Sequence, residues 1–171
     1  MLYVLCYPRL APADSAAIEA FRRKHEPARA EMVRAHVTLV FGVTSVSPEA
    51  LIKIAEPIAS ATPRFDFAID GATVAAHEQG PHNLFLEIGR GREGLIALNR
   101  ALYVGALAAE RADIEFDPHI TVATNADLRA IFEAAPEAKP LLQIEGRIDT
   151  LDLAALNGVV LTPVASLPLA G

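Results

Sequence analysis

Two stretches decide how this chain reads: Ala35-His36-Val37-Thr38-Leu39-Val40-Phe41-Gly42 and, 83 residues after the first histidine, Phe116-Asp117-Pro118-His119-Ile120-Thr121-Val122. Both are rich in β-branched and apolar residues, which predicts a strand in each. Side chains alternate across a strand, so His36 and Thr38 share one face while Val37 and Leu39 pack behind them; His119 and Thr121 repeat the arrangement. A single histidine in an apolar strand is ordinarily a core residue with its hydrogen bonds satisfied. Two His-x-Thr matches among five histidines, however, arise in only roughly a few per cent of shuffled chains, before corresponding positions are also required.

Working outward, the landmarks on either side of the two stretches recur at a similar spacing. Leu2 to Tyr7 reads as a first strand, and a helix capped by Asp14 or Ser15 carries Ile18 and Phe21 and ends before Pro27. After the first motif, Ser47 at the N-cap and Pro48 behind it start a helix through about Ala59. Phe65 to Ile69 alternates as a strand, Asp70-Gly71 is a hairpin signal, and Ala72 to Ala76 is the expected returning strand. A second series follows. It has a strand over Asn83 to Ile88, a helix from about Glu93 to Glu110, and the second motif strand over His119 to Ala123. Asn125 or Thr124 then caps a short helix that stops at Pro136, and strands are expected over Leu141 to Asp149, Leu151 to Leu156 and Val159 to Val164. The offset of about 80 residues is too long for a solenoid and implies a duplicated strand-helix-strand-helix-strand-strand unit. The expectation is one bilobal domain over 1–171, with halves of about 1–82 and 83–171 around a shared groove.

Composition narrows the function. With 52% hydrophobic and 21% charged residues the chain can bury a substantial core. Apolar runs such as Val37 to Val43 fall far short of the roughly 20 residues needed for a membrane-spanning helix, and Met1 to Cys6 reads as a strand, not a secretory signal. Cys6 is the only cysteine, which excludes an intrachain disulfide and a cysteine-cluster zinc site and fits a cytoplasmic location. A net charge of −6 argues against wrapping long nucleic acid, since counterion release needs an extended basic face. The expected partner is a small nucleotide or a short RNA end, with no membrane, no long nucleic acid and a monomeric protein.

If the halves face each other about a pseudo-twofold axis, two imidazoles and two hydroxyls meet over one bound group. Cleaving a phosphodiester requires one group to take a proton from the attacking water and another to give one to the departing oxygen. Imidazoles, with an unperturbed pKa of about 6.5, can fill both roles at neutral pH. Threonine hydroxyls can donate to the non-bridging oxygens, where charge accumulates in the transition state. No metal or cofactor is needed, and the catalytic set expected is His36, Thr38, His119 and Thr121.

In these motifs, in their spacing and over essentially its whole length, the chain resembles the 2H phosphoesterase superfamily, which includes 2'-5' RNA ligase-like proteins and cyclic nucleotide phosphodiesterases. The resemblance implies an α+β fold in which two pseudo-twofold-related antiparallel sheets line a central groove with helices outside. It also implies metal-independent hydrolysis of 2',3'-cyclic phosphate or 2'-5' phosphodiester links in nucleotides or RNA ends, a form of RNA processing. Carried over position by position, the family's catalytic residues fall on His36, Thr38, His119 and Thr121. The alternatives are a binding module for nucleotides or RNA ends, or a 2'-5' RNA ligase. Thr124 stands where the ligase-like branch commonly has an arginine. Candidate substrate contacts are Phe41, Tyr7, Arg9 and Thr124, with Tyr3 a further aromatic candidate.

Three other features have simpler readings. Arg22-Arg23-Lys24 and His25 read as the solvated last turn of a helix. His77 to His82, containing Gly80 and Pro81, reads as a connecting loop and not a metal site. Gly89-Arg90-Gly91-Arg92-Glu93-Gly94 lacks the lysine and hydroxyl of a P-loop and is expected to be a strand-to-helix turn.

Overall fold

Alternation along the motif strands sets the register of the molecule. A computed structural model describes residues 1–171. In β3 (Val37–Val43), Val37, Leu39, Val40 and Val43 are buried, and in β6 (His119–Asn125) Ile120, Val122 and Ala123 are buried. Each large aliphatic side chain so buried is worth about 1.5–3 kcal/mol. A one-residue slip would exchange these for the histidine and threonine face, so burial holds His36, Thr38, His119 and Thr121 outward from the core.

Two antiparallel sheets result. In chain order the remaining strands are β1 (Leu2–Cys6), β2 (Arg9–Leu10), β4 (Phe65–Ala75), β5 (His82–Ile88), β7 (Glu145–Ile148), β8 (Thr150–Asn157) and β9 (Val160–Pro168). The first sheet has the order β3-β1-β8-β9 and the second β2-β7-β4-β5-β6. Both histidine motifs therefore lie on edge strands. Leu5 is the cross-strand partner of Thr38, as Phe85 is of Thr121. The sheets do not coincide with the sequence halves. The first half contributes β2 and β4 to the second sheet, and the second half contributes β8 and β9 to the first.

The helices cross in the same manner. α1 (Pro12–His25) follows β1 but packs on β6, and α4 (Arg92–Leu102) follows β5 but packs on β3. α3 (Pro48–Ala61) covers β8 and β9, and α5 (Leu128–Ala134) covers β5 and β6. A short α2 (Pro27–Met32) joins α1 to the first motif, and a 3-10 segment (Gly105–Glu110) stands in the corresponding place before the second. Ile18, Leu39, Leu84, Leu98, Ile120 and Leu153 belong to one continuous apolar core that spans both sheets.

Ser47 caps α3 as expected, its hydroxyl accepting from the Ala50 N–H at 3.2 Å, with Pro48 in the first turn. Several other expectations are corrected. Asp70-Gly71 is not a hairpin: β4 runs unbroken through it and pairs with β7 over Phe65–Ala68 and with β5 beyond Ile69, with a register shift between. A Cβ at Gly71 would displace only the end of the Glu87 side chain, whose Oε2 lies 2.1 Å from that position. α1 begins at Pro12, because proline at the first turn sets the start and no side-chain cap is used. The helix expected to reach Glu110 ends at Leu102, with Gly105 at φ +55° before the 3-10 segment. α5 is capped by Asp127 instead of Thr124 or Asn125, and past Pro136 it continues as a 3-10 segment through Leu141. The turn into α4 is as read: Gly91 takes φ +88°, and a Cβ there would meet the Asp66 carbonyl oxygen at 2.6 Å.

Candidate active site

His36 lies one residue ahead of β3 and His119 opens β6. Each half-buried ring is held in the same way. Nδ1–H of His36 donates to the Arg34 carbonyl at 2.7 Å, and Nδ1–H of His119 donates to the Asp117 carbonyl at 2.7 Å. A carbonyl can only accept, so in both neutral rings the lone pair is on Nε2, and neither Nε2 has a protein partner. The Thr38 and Thr121 hydroxyls are likewise without one. All four side chains line a single cavity of about 710 Å³.

The rings differ in their surroundings. Phe85 stacks on His119 with centroids 3.7 Å apart at 24°, while Tyr7 meets His36 edge-on at 5.9 Å. Burial pushes the His36 imidazole down to about 4, and the nearby Arg22 and Arg29 guanidiniums add to the effect against the Arg34 carbonyl bond and Glu19. Burial also lowers His119, but there the Asp117 carbonyl bond and the Asp117 carboxylate both oppose it.

A buried ion pair supports the loop that carries the first motif. Arg22 is only 2% exposed, contrary to the solvated helix end expected of it, because α1 packs down on the segment before β3. Its Nε donates to Glu26 at 2.6 Å, and its Nη1 to Glu19 at 3.0 Å and to the Val33 carbonyl at 2.8 Å. Glu19 in turn accepts from the Ala35 N–H at 2.6 Å. Residues 33 and 35 are thereby fixed on either side of Arg34, whose carbonyl orients His36. The same network reaches the second motif strand, since the Thr124 hydroxyl lies within hydrogen-bond distance of Glu26 Oε2 at 3.2 Å and Asn83 Oδ1 at 2.9 Å and can donate to either. On the opposite wall, buried Asn99 donates to the Leu39 carbonyl at 2.8 Å, tying α4 to β3.

Of the proposed substrate contacts, Phe41 and Tyr3 line this cavity; Phe41 is 74% exposed, meets Tyr3 edge-on, and its N–H donates to the Tyr103 hydroxyl at 3.2 Å. Tyr7 lines a smaller neighbouring pocket with Arg34, whose guanidinium lies 4.4 Å from the Tyr7 ring centroid. Arg9 sits on β2 and pairs with Asp149 at 2.9 Å, away from the cavity. Thr124 is engaged with Glu26 and Asn83, also outside it. Sequence reasoning missed Phe85, Phe116, Arg29 and Arg111, all on the cavity wall. The 80-residue offset from Leu5 was the available signal for Phe85. His77 and His82 meet in the loop before β5, the His77 N–H donating to His82 Nδ1 at 3.1 Å, and no third metal-ligating side chain joins them.

Residues 10–159 match the family described as the 2'-5' RNA ligase superfamily. The chain belongs to that superfamily. Its members are the 2H phosphoesterases and ligases, a family of phosphoryl-transfer enzymes. No curated protein matches the chain. Among solved structures, TT0787 of Thermus thermophilus is similar with a TM-score of 0.70 at 20% identity, covering 100% of this chain and 99% of that one. Apo LigT of E. coli gives 0.64 at 23% identity over 99% and 97% of the two chains, and Kluyveromyces marxianus Usb1 gives 0.62 at 15% over 98% and 97%. These three share the superfamily fold. LigT structures also exist in complex with 3'-AMP and with NADP+, and a Usb1 structure with uridine monophosphate.

Proposed function

We propose that this chain is a metal-independent phosphodiesterase acting on 2',3'-cyclic phosphate or 2'-5' diester links of nucleotides or RNA ends. His36 is the general base and His119 the general acid. Water attacks phosphorus as His36 Nε2 takes its proton; the bond to the leaving ester oxygen breaks as His119 Nε2–H protonates that oxygen. Thr38 and Thr121 donate to the non-bridging oxygens, where the developing charge is greatest.

The observation that carries this reading is the pairing of geometry across one cavity: two rings with unengaged Nε2 atoms, each tied by Nδ1 to the carbonyl two residues back, and two hydroxyls free to donate. The division of roles follows from the charges. His36 is held neutral by burial, with Arg22 and Arg29 adding to it, and a base must start neutral. His119, beside Asp117, holds a proton more readily. The small nucleotides bound by LigT and Usb1 support a nucleotide-sized ligand.

The test is turnover of the four 2',3'-cyclic nucleotides, NAD-derived cyclic phosphates and 2'-5' oligonucleotides in EDTA. His36→Ala and His119→Ala should each lower kcat by about 10²–10⁴-fold. Unchanged turnover in either variant refutes the two-histidine mechanism, and zinc-restored activity after chelation refutes metal independence. Ligand binding by the wild-type protein without turnover would make it a binding module, and joining of RNA half-molecules would make it a ligase.

A further inference from the structure

The charged side chains around the reactive cavity fall into two sets. Arg22 and Glu26 neutralise each other, Asp117 is paired with Arg92, and Glu110 is held by the Thr44 and Ser45 N–H groups at 3.1 and 3.0 Å. Arg29 and Arg111 line the same cavity and form no salt bridge, although the Arg29 guanidinium acts on Glu26. Glu115, the remaining charged wall residue, also forms no salt bridge, although its field reaches Arg92.

The two free arginines are placed alike. Arg29 lies in α2, seven residues before His36, and Arg111 directly follows the 3-10 segment, eight residues before His119. They are 82 residues apart, against 83 for the histidines. Each stands on the segment linking a sheet-crossing helix to its motif strand, so the duplication that sets one His-Thr pair on either side of the cavity also sets one unpaired guanidinium on either side. In a chain of net charge −6, an unpaired cation on each rim offsets a field that otherwise repels anions.

We infer that Arg29 and Arg111 are specificity residues that each engage a phosphate flanking the scissile one, so that the preferred substrate is a short linear oligonucleotide carrying phosphate on both sides of the cleaved diester, over a cyclic mononucleotide. This rests on the cavity being a diester site, as proposed above. A guanidinium is suited to the task because its planar fork matches phosphate oxygens in pairs. A cyclic mononucleotide, with one phosphate, can use neither contact together with the histidines.

Calorimetric titration with non-hydrolysable methylenephosphonate analogues of a 2'-5' linked diadenosine, with and without terminal 5' and 3' phosphates, tests this separately from turnover. The wild-type protein should bind the phosphate-flanked analogue about a hundredfold more tightly, roughly tenfold for each arginine engaged. Arg29→Gln and Arg111→Gln should each reduce that ratio about tenfold, and the double variant should bring it near unity. For the flanked ligand, the slope of log affinity against log salt should shrink by about 0.7 for each arginine lost. Arg129→Gln, which removes a cation paired with Glu133 on α5, should leave the ratio as it is. Equal binding of the two analogues by the wild-type protein, or a ratio unmoved in the double variant, overturns the inference. If the authentic diesters are not hydrolysed but the flanked analogue still binds more tightly through these arginines, the phosphodiesterase reading fails and only the arginines' recognition of flanking phosphates holds.

Discussion

Binding of an anion in this cavity should draw in a proton. At an imidazole pKa of about 4, His36 is protonated in only about one molecule in a thousand at pH 7, and burial lowers His119 as well, so the empty site holds two largely neutral rings. General acid catalysis needs one of them charged. A diester anion about 4 Å from an imidazolium, at an effective dielectric constant of about 20, is attracted by about 4 kcal/mol, enough to raise that imidazole by about three pH units. Close to one proton should therefore enter with each anion at neutral pH. Between the free and bound pKa values, affinity should fall about tenfold for each unit of pH gained. The assay is calorimetry with the unflanked methylenephosphonate diester, whose single charge does not titrate near neutrality, in buffers of differing ionisation enthalpy. His119→Asn should abolish the uptake and His36→Asn should preserve it. A heat of binding independent of buffer, with a flat affinity profile, would refute the coupling. Loss of uptake in His36→Asn alone would reverse the assigned roles.

Two further outcomes follow from the same geometry. Thr38→Val and Thr121→Val keep the β-branched shape that the motif strands accept but remove the donor, so each should lower kcat by about 10²-fold with little change in Tm. Arg22→Met leaves the Glu26 carboxylate, already raised by burial, without its guanidinium and frees the Val33 carbonyl; it should cost about 3–5 kcal/mol in denaturant unfolding, and Glu26→Gln in that background should recover part of the loss.

The site was legible in the sequence because its signal is written twice: His36-x-Thr38 and His119-x-Thr121 each sit on an apolar alternation that can face only one way. What could not be read depends on partners distant in sequence. Asp70-Gly71 carries the local signature of a turn, and only the pairing of β4 with β7, distant in sequence, and with β5 carries the strand through it. Exchange of the last strands between sheets is a choice of pairing partner that no local pattern encodes. Arg22 is an intermediate case. Within Arg22-Arg23-Lys24 it reads as solvated charge, yet Glu19 and Glu26 stand three residues before and four after it, on the same helical face, and this is the spacing from which a buried pair is built. Arg29 and Arg111 give no sign, since an arginine without a partner becomes informative only when a cavity lies beside it.

A duplicated fold presents a chemical problem that its symmetry cannot solve. Two imidazoles held identically, at 2.7 Å from equivalent carbonyls, would share a proton equally, and half of the molecules would then hold it on the wrong side of an asymmetric substrate. Here the geometry is repeated but the charge is not. Burial lowers both rings; beyond it, Arg22 and Arg29 push His36 further down against Glu19, whereas the Asp117 carboxylate pushes His119 up. The backbone that aims each ring comes from the repeated unit, while the charged residues beside the two rings, in the last turn of α1, in α2 and just ahead of β6, are not matched in sign. Under the proposed mechanism, substitutions at Arg22, Arg29 or Asp117 should therefore change catalytic direction without disturbing either His-x-Thr motif, whereas a change within a motif should remove a reacting group outright.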